Sequence, residues 1–399
     1  MTDATFPLAH RLAGAGTSIF SEMSALSAQY GSVNLGQGFP DFPGPSWVKA
    51  SAEGAIDADV NQYAISHGAP ALRAALARHY SGPLGRALDP DRDIVVTSGA
   101  TEAVFASCLG LLNPGDEAVV FEPFYDSYVP SVTFAGAVPR YVPLRQPDKT
   151  HAEWWFDPDE LAAAFGPRTR LVIVNTPHNP TGKVFSRDEL AFIAELCHKW
   201  NALVLSDEVY EAITFDGAQH VSIATLPGMW ERTLTISSSG KTFSLTGWKV
   251  GWVIAPPALN AATRATHQFI VFCSAAPLQL GIAAAFEHAD AQRYYDTLRA
   301  EYAERREILL TALREAGLTA FAPRGTYFAL ADIRDLGYPD DIAFCHSLTI
   351  QAGVTAIPPS VFYSEDHRNL GRGLARFAFC KKKETLEVAA QRLTAWARR

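Results

Sequence analysis

The chain has 399 residues, of which 48% are apolar, enough for a large buried core and two or three domains of ordinary size. Lysine and arginine number 34 against 42 aspartates and glutamates, and the resulting net charge of −8 argues against non-specific nucleic-acid binding. The five cysteines, Cys108, Cys197, Cys273, Cys345 and Cys380, never form a C-x-x-C pair, which speaks against a disulfide framework or a zinc site and for a reducing compartment.

In chain order, Met1–Gly14 lacks the basic-then-apolar pattern of a signal peptide, and no apolar run reaches membrane-spanning length, so the expected location is the cytoplasm. Ile94–Thr97 reads as a strand and Ala100–Leu112 as the helix after it. Asn113–Asp116 is a turn, and Ala118–Pro123 and Arg170–Asn175 are further strands. Ser186 to Glu189 is a capping box opening a helix to Trp200. Strands are expected over 202–210, 234–238 and 249–255. These runs are short, β-branched and nearly all apolar, and they alternate with helical patterns. That predicts an α/β domain whose mainly parallel sheet is covered by helices on both faces. The last hundred or so residues differ: a charged helix over 291–316, strands at 326–333 and 374–380, and a final helix from Glu384 predict a smaller α+β domain. The expected division is 45–290 for the large domain, and 1–44 with 291–399 for the small one. Lys381–Lys383 reads as solvated surface, and each cysteine as a small core residue.

Four segments carry chemistry. Ser237–Phe243 (SSSGKTF) places Lys241 after an apolar strand, where α/β sheets form their ligand crevice. Ser206–Tyr210 (SDEVY) buries an acid, Asp207, at another strand end, and a buried carboxylate needs a partner. Asn175–Gly182 (NTPHNPTG) is a turn whose Asn179 can donate a hydrogen bond. Ser98–Glu102 (SGATE) puts small residues at a helix N-terminus, where free N–H groups can cradle a phosphate. Gly36–Asp41 (GQGFPD) is not a dinucleotide fingerprint, which removes a nicotinamide dehydrogenase from consideration.

Taken together and in this order, N-x-P-x-N-P-T-G, S-D-E-V-Y and S-S-G-K-T-F-S-L-T-G-W-K-V-G-W resemble the class I aminotransferases of pyridoxal-phosphate (PLP) fold type I, over essentially the whole chain. NLGQGFPDFPGP, EPFYDSY and VTAIPPSVFY are most similar to the branch that holds kynurenine aminotransferase I (glutamine transaminase K) and the methionine aminotransferases.

The resemblance implies PLP as cofactor, held by Lys241 as a Schiff base, with Lys241 then acting as the proton shuttle. It implies that Asp207 holds the pyridinium proton, that Asn179 and Tyr210 bond the phenolic oxygen, and that Tyr125 stacks on the ring. Gly99, Ala100, Ser238 and Lys249 would bind the phosphate, with Lys249 standing where many class I enzymes have arginine. Arg376 would grip the substrate α-carboxylate, with the Gly36 backbone close by. Tyr63 and Phe272 would reach into the neighbouring subunit's site, which requires a homodimer. No metal is implied, and the partners are amino acids and 2-oxo acids.

No lysine or arginine lies between Arg264 and Arg293, and the expected pocket wall, Phe20, Tyr125 and Phe272, is aromatic. A donor such as methionine, phenylalanine, glutamine or kynurenine is therefore expected over aspartate, with His67 or His267 able to supply a weak cation. Cysteine-S-conjugate β-lyase activity on the same site and a non-catalytic PLP-fold binding module are the alternatives.

Overall fold

The structure is a computed structural model that describes residues 9–12, 18–288 and 291–398. The signal-peptide reading of Met1–Gly14 falls almost wholly outside these residues. In chain order the strands are β1 (Val33–Asn34), β2 (Ile94–Thr97), β3 (Glu117–Glu122), β4 (Val138–Pro143), β5 (Thr169–Asn175), β6 (Leu203–Asp207), β7 (Thr233–Ser238), β8 (Gly251–Ile254), β9 (Thr319–Phe321), β10 (Phe328–Asp332), β11 (Val354–Thr355) and β12 (Leu374–Ala378).

Seven of them form one sheet in the order β2-β8-β7-β6-β5-β3-β4. Every pair is parallel except those made by β8, which runs antiparallel between β7 and β2. Alternate residues feed opposite cores. Val119, Phe121, Val172 and Val174 pack on one face, and Val120, Leu171 and Ile173 on the other. Both faces are covered, which is why these strands read as continuous apolar runs. Each buried Val, Leu or Ile contributes about 1.5–3 kcal/mol. The Ser186 capping box is formed: the Glu189 N–H donates to Ser186 Oγ at 3.2 Å and the Ser186 N–H to Glu189 Oε2 at 2.8 Å.

Near the chain ends, β12-β10-β9 form an antiparallel sheet and β1 pairs in parallel with β11. The Ala378 N–H donates to the Leu35 carbonyl at 2.6 Å. Met23 and Leu35 share a core with Leu309, Phe344, Phe377 and Leu386, and Tyr210, Ile213 and Phe215 join the same core from the end of β6.

Several expectations are revised. The strand expected over 202–210 stops at Asp207, because the Val209 N–H turns back to Asp207 Oδ1 at 3.3 Å and ends the extended run. The strand expected from Lys249 starts at Gly251, because Lys249 is left-handed, with φ 52°. β4 went unread. Lys381 is buried, not solvated, with Nζ donating to the Phe39 carbonyl at 2.8 Å. Cys273 is half-buried in a turn, whereas the other four cysteines are buried.

Candidate active site

The parallel strands deliver their functional residues to one edge of the sheet. Asn175 ends β5, Asp207 ends β6 and Ser238 ends β7, with Asn175 paired to Asp207 and Ser238 to Gly251. Thr97 also pairs with Gly251, so the Ser98–Gly99 turn arrives at the same edge. A cavity of about 380 Å³ opens there. Of the expected residues, Lys241, Asp207, Tyr210, Gly99, Ala100, Tyr125, Asn179, Ser238, Lys249, Arg376 and Phe20 line it.

Asp207 is buried, and its Oδ2 accepts a hydrogen bond from the Tyr128 hydroxyl at 2.6 Å. Burial pushes its carboxyl up to about 6, although the bonds from Tyr128 and the Val209 N–H and the charge of Lys241 pull it down. Asn175 steadies this strand end: its Nδ2 donates to the Asp207 carbonyl at 2.9 Å, and its Oδ1 accepts from the Asn179 N–H at 2.7 Å.

Lys241 sits on the short helix Ser239–Thr242. Its Nζ lies 5.7 Å from the centre of the Tyr210 ring and 5.6 Å from that of Tyr327. It donates a long bond, 3.4 Å, to the Gly38 carbonyl, which also accepts from the Tyr327 hydroxyl at 2.6 Å. Burial lowers the ammonium to about 8, Asp207 and Cys380 raise it, and Lys249 and Arg376 lower it further. Burial also raises the Tyr210 phenol.

The phosphate-sized end of the cavity is a cradle. Gly99 has φ +79°, which glycine adopts freely, and it opens the helix Gly99–Leu111 with no side-chain cap at Ser98. A Cβ on Gly99 would lie 3.1 Å from Lys249 Nζ, and one on Gly251 would lie 2.6 Å from the Gly99 carbonyl carbon. Backbone and ammonium therefore approach one small volume that only glycines leave open.

Arg376 is buried under aromatic rings, with its guanidinium carbon 4.3 Å from the centre of Phe328 and 5.1 Å from that of Phe20. Nη2 donates to the Gly36 carbonyl at 2.7 Å and Nη1 to Asn179 Oδ1 at 3.3 Å, while Nε is buried without a partner. Burial depresses it to about 10. A buried guanidinium with spare donors suits a carboxylate ligand.

Gly36, Tyr63, Phe272, His67 and His267 do not line this cavity, which for Tyr63 and Phe272, expected in the neighbouring subunit's site, is no departure. Gly36 does not line the cavity, and its N–H is committed to Asn34 Oδ1 at 2.9 Å, so it meets Arg376 through its carbonyl. Tyr63 and Phe272 lie outside the cavity, 85% and 44% exposed, and stack edge to face on each other at 5.2 Å. His267 is buried between Glu102 and the Ser66 carbonyl, and neither it nor His67 lines the cavity. Residues not singled out from the sequence also line it, among them Tyr128, Asn175, Asp126, Gln37 and Phe328.

The donor set fits PLP. A buried carboxyl held high by desolvation gains from a pyridinium proton beside it. The glycine cradle with Lys249 suits a phosphate, and an amine poised near neutrality suits an aldehyde.

Comparison with known proteins agrees. The family model "Aminotransferase class I and II" matches residues 31–393. A kynurenine–oxoglutarate transaminase of Dictyostelium discoideum is 40% identical, covering 98% of this chain and 96% of that protein. A solved N-succinyldiaminopimelate aminotransferase of Mycobacterium tuberculosis superposes with a TM-score of 0.93 at 44% identity, over 98% of this chain and 100% of that one. An Escherichia coli protein whose structure identified a methionine aminotransferase function gives 0.92 at 39%, with the same coverage.

Proposed function

The chain belongs to the class I and II aminotransferases and is a PLP-dependent enzyme, and on that premise we propose that it takes its amino group from a donor with a neutral aromatic, thioether or amide side chain and passes it to a 2-oxo acid. Phenylalanine, kynurenine, methionine and glutamine are such donors.

The observation that carries this reading is the inventory of the cavity wall. Among the described residues its lining holds three lysines or arginines, Lys241, Lys249 and Arg376. The cofactor and the substrate α-carboxylate account for all three, and the remaining wall includes Phe20, Phe39, Tyr125 and Phe328. A second carboxylate on the donor would be buried without a cation, at a cost of several kcal/mol. An apolar side chain would instead gain about 1.5–3 kcal/mol. The relatives' names pull in different directions, since kynurenine and methionine are compact donors and N-succinyldiaminopimelate carries further acidic groups. The cation inventory favours the former.

In this reading Lys241 holds the cofactor, Asp207 keeps the ring nitrogen protonated, Asn179 and Tyr210 bond the phenolic oxygen, and Tyr125 faces the ring. Gly99, Ala100, Ser238 and Lys249 take the phosphate. When bound, PLP supplies an electron sink for the pair left on Cα as its proton departs. Lys241 Nζ, close to neutrality, takes that proton and returns it. Arg376 orients the donor through its carboxylate, itself held by Gly36 and Asn179. Buried Tyr128 and Asn175 keep Asp207 in place.

We further propose a cytoplasmic homodimer in which Tyr63 and Phe272 serve the partner's site, and a division into a large domain at 45–290 and a small one at 1–44 with 291–399. Among the described residues, no helix is long and apolar enough to cross a membrane. The test of the donor reading is kcat/KM for the four donors above and for aspartate with a common 2-oxo acid. A clear preference for aspartate over all four would overturn it.

A further inference from the structure

The cavity holds two carboxylates, and their settings differ. Asp207 lies at the buried end, bonded to Tyr128. Asp126 lies on the loop between β3 and the helix Tyr128–Phe134, lines the same cavity and is open to water. No side-chain hydrogen bond or ion pair holds the Asp126 carboxylate among the described residues. The protein packed around it pushes its carboxyl up, and the charge of Arg376 and a bond from its own backbone N–H pull it down. Arg376 itself points its Nη groups at Gly36 and Asn179 and stacks on Phe328. Both residues line the same cavity, and no hydrogen bond or ion pair joins them.

A donor amino acid entering this space has its carboxylate drawn to Arg376 and its amino group to Lys241. Asp126 and Tyr125 are part of the wall left for its side chain. A carboxylate there meets a like charge, whereas an N–H meets an acceptor with lone pairs to spare. We propose that Asp126 is the specificity-determining residue of the donor pocket, accepting a hydrogen bond from a distal amide or arylamine N–H and rejecting a distal carboxylate. The proposal rests on the donor reading above and narrows it: among neutral donors it places glutamine-like and kynurenine-like side chains ahead of methionine and phenylalanine. A carboxylate left facing a carboxylate loses selectivity both ways, by repulsion and by the missing bond, so the discrimination is expected at about tenfold to a hundredfold.

The test uses a matched pair without an amino group, so that no turnover intervenes: glutarate and its monoamide, 4-carbamoylbutanoate. Calorimetry on the PLP-loaded protein measures both affinities in wild type, Asp126→Asn and Asp126→Ala. Wild type should bind the monoamide at least about tenfold more tightly, and both variants should bring the pair within about threefold. In parallel, the kcat/KM ratio of glutamine to glutamate should fall by about tenfold in both variants. Equal monoamide preference in wild type and both variants overturns the role of Asp126. The broader donor reading fails separately, if wild type itself prefers aspartate to the neutral donors.

Discussion

Two regions bear residues expected to act in catalysis, and they are built in opposite ways. Around the cavity at the sheet edge, Asp207 and Asn175 from the large sheet and Arg376 from β12 are buried, and each has a named partner within the same chain. Around Tyr63 and Phe272 the chain instead presents apolar side chains to water: Ile65 is 53% exposed, Phe269 87% and Val271 38%. A cluster of large exposed apolar residues is costly to leave wet and marks a surface that another molecule covers. The first region is finished by folding; the second, in the proposed dimer, is covered by a second copy. Substitutions at the sheet edge should therefore damage chemistry in every assembly state, and substitutions on the exposed surface should be repairable by mixing.

The largest effect is expected at Lys241. Lys241→Ala removes an amine that shares the cavity with Asp207, and should lower turnover by at least about a thousandfold while the far-ultraviolet dichroism is unchanged. Turnover near wild type would break the assignment of the sheet edge as the reactive region.

Asp207→Asn comes next. The amide keeps the shape and can still bond Tyr128, but it cannot hold a charge against a ring proton. A loss of roughly a hundredfold is expected in kcat, with donor KM changed much less. A variant within a few-fold of wild type would mean that the carboxylate does not face the cofactor.

Capture of the cofactor should follow pH. Burial holds the Lys241 ammonium at about 8 rather than near 10.5. Only the neutral amine attacks an aldehyde, and the neutral fraction grows as pH rises through 8. For PLP added to cofactor-free protein, the rate read from visible absorbance should climb about tenfold per unit below pH 8 and level off above it. A rate still climbing with the same slope to pH 10 would show an ordinary, well-solvated lysine.

The strand ends were legible in the sequence because their chemistry demands rare residue types in turn-forming company. Lys241 follows three serines and a glycine, Asp207 ends an apolar strand, and Asn179 sits between prolines. The roles that went unread belong to residues whose types have commoner explanations. Tyr128 reads as one more core aromatic until its hydroxyl is seen on Asp207. Asp126 reads as a loop acid. β4 carries Pro139 and Pro143, which argue against a strand. It is tolerated because β4 lies at the sheet edge and pairs with β3 alone. Lys381 reads as surface in a run of three lysines, yet the Phe39 carbonyl and ring draw it inward. Contacts between distant segments decide these cases, and no local pattern encodes them.

The smallest effect, and the sharpest test of the comparison, concerns Tyr63. Its ring is 85% exposed and touches Phe272 in the same chain, so removing it leaves the cavity of its own chain intact. Tyr63→Ala should fold normally and lose about tenfold in activity through weaker hold on the cofactor phosphate, the scale of one lost charge-assisted hydrogen bond. In a homodimer with shared sites, a hybrid of Lys241→Ala and Tyr63→Ala chains contains one site with Lys241 from one chain and Tyr63 from the other, both native. Equal mixing with free exchange places about half of the molecules in that hybrid, so about a quarter of all sites regain both residues. Activity should then rise to about a quarter of wild type, several-fold above the roughly 5% expected from the unexchanged mixture. Strictly additive activity after demonstrated subunit exchange, or full activity in a species that light scattering shows to be monomeric, would place Tyr63 outside any shared site and leave the exposed apolar surface without the role proposed for it.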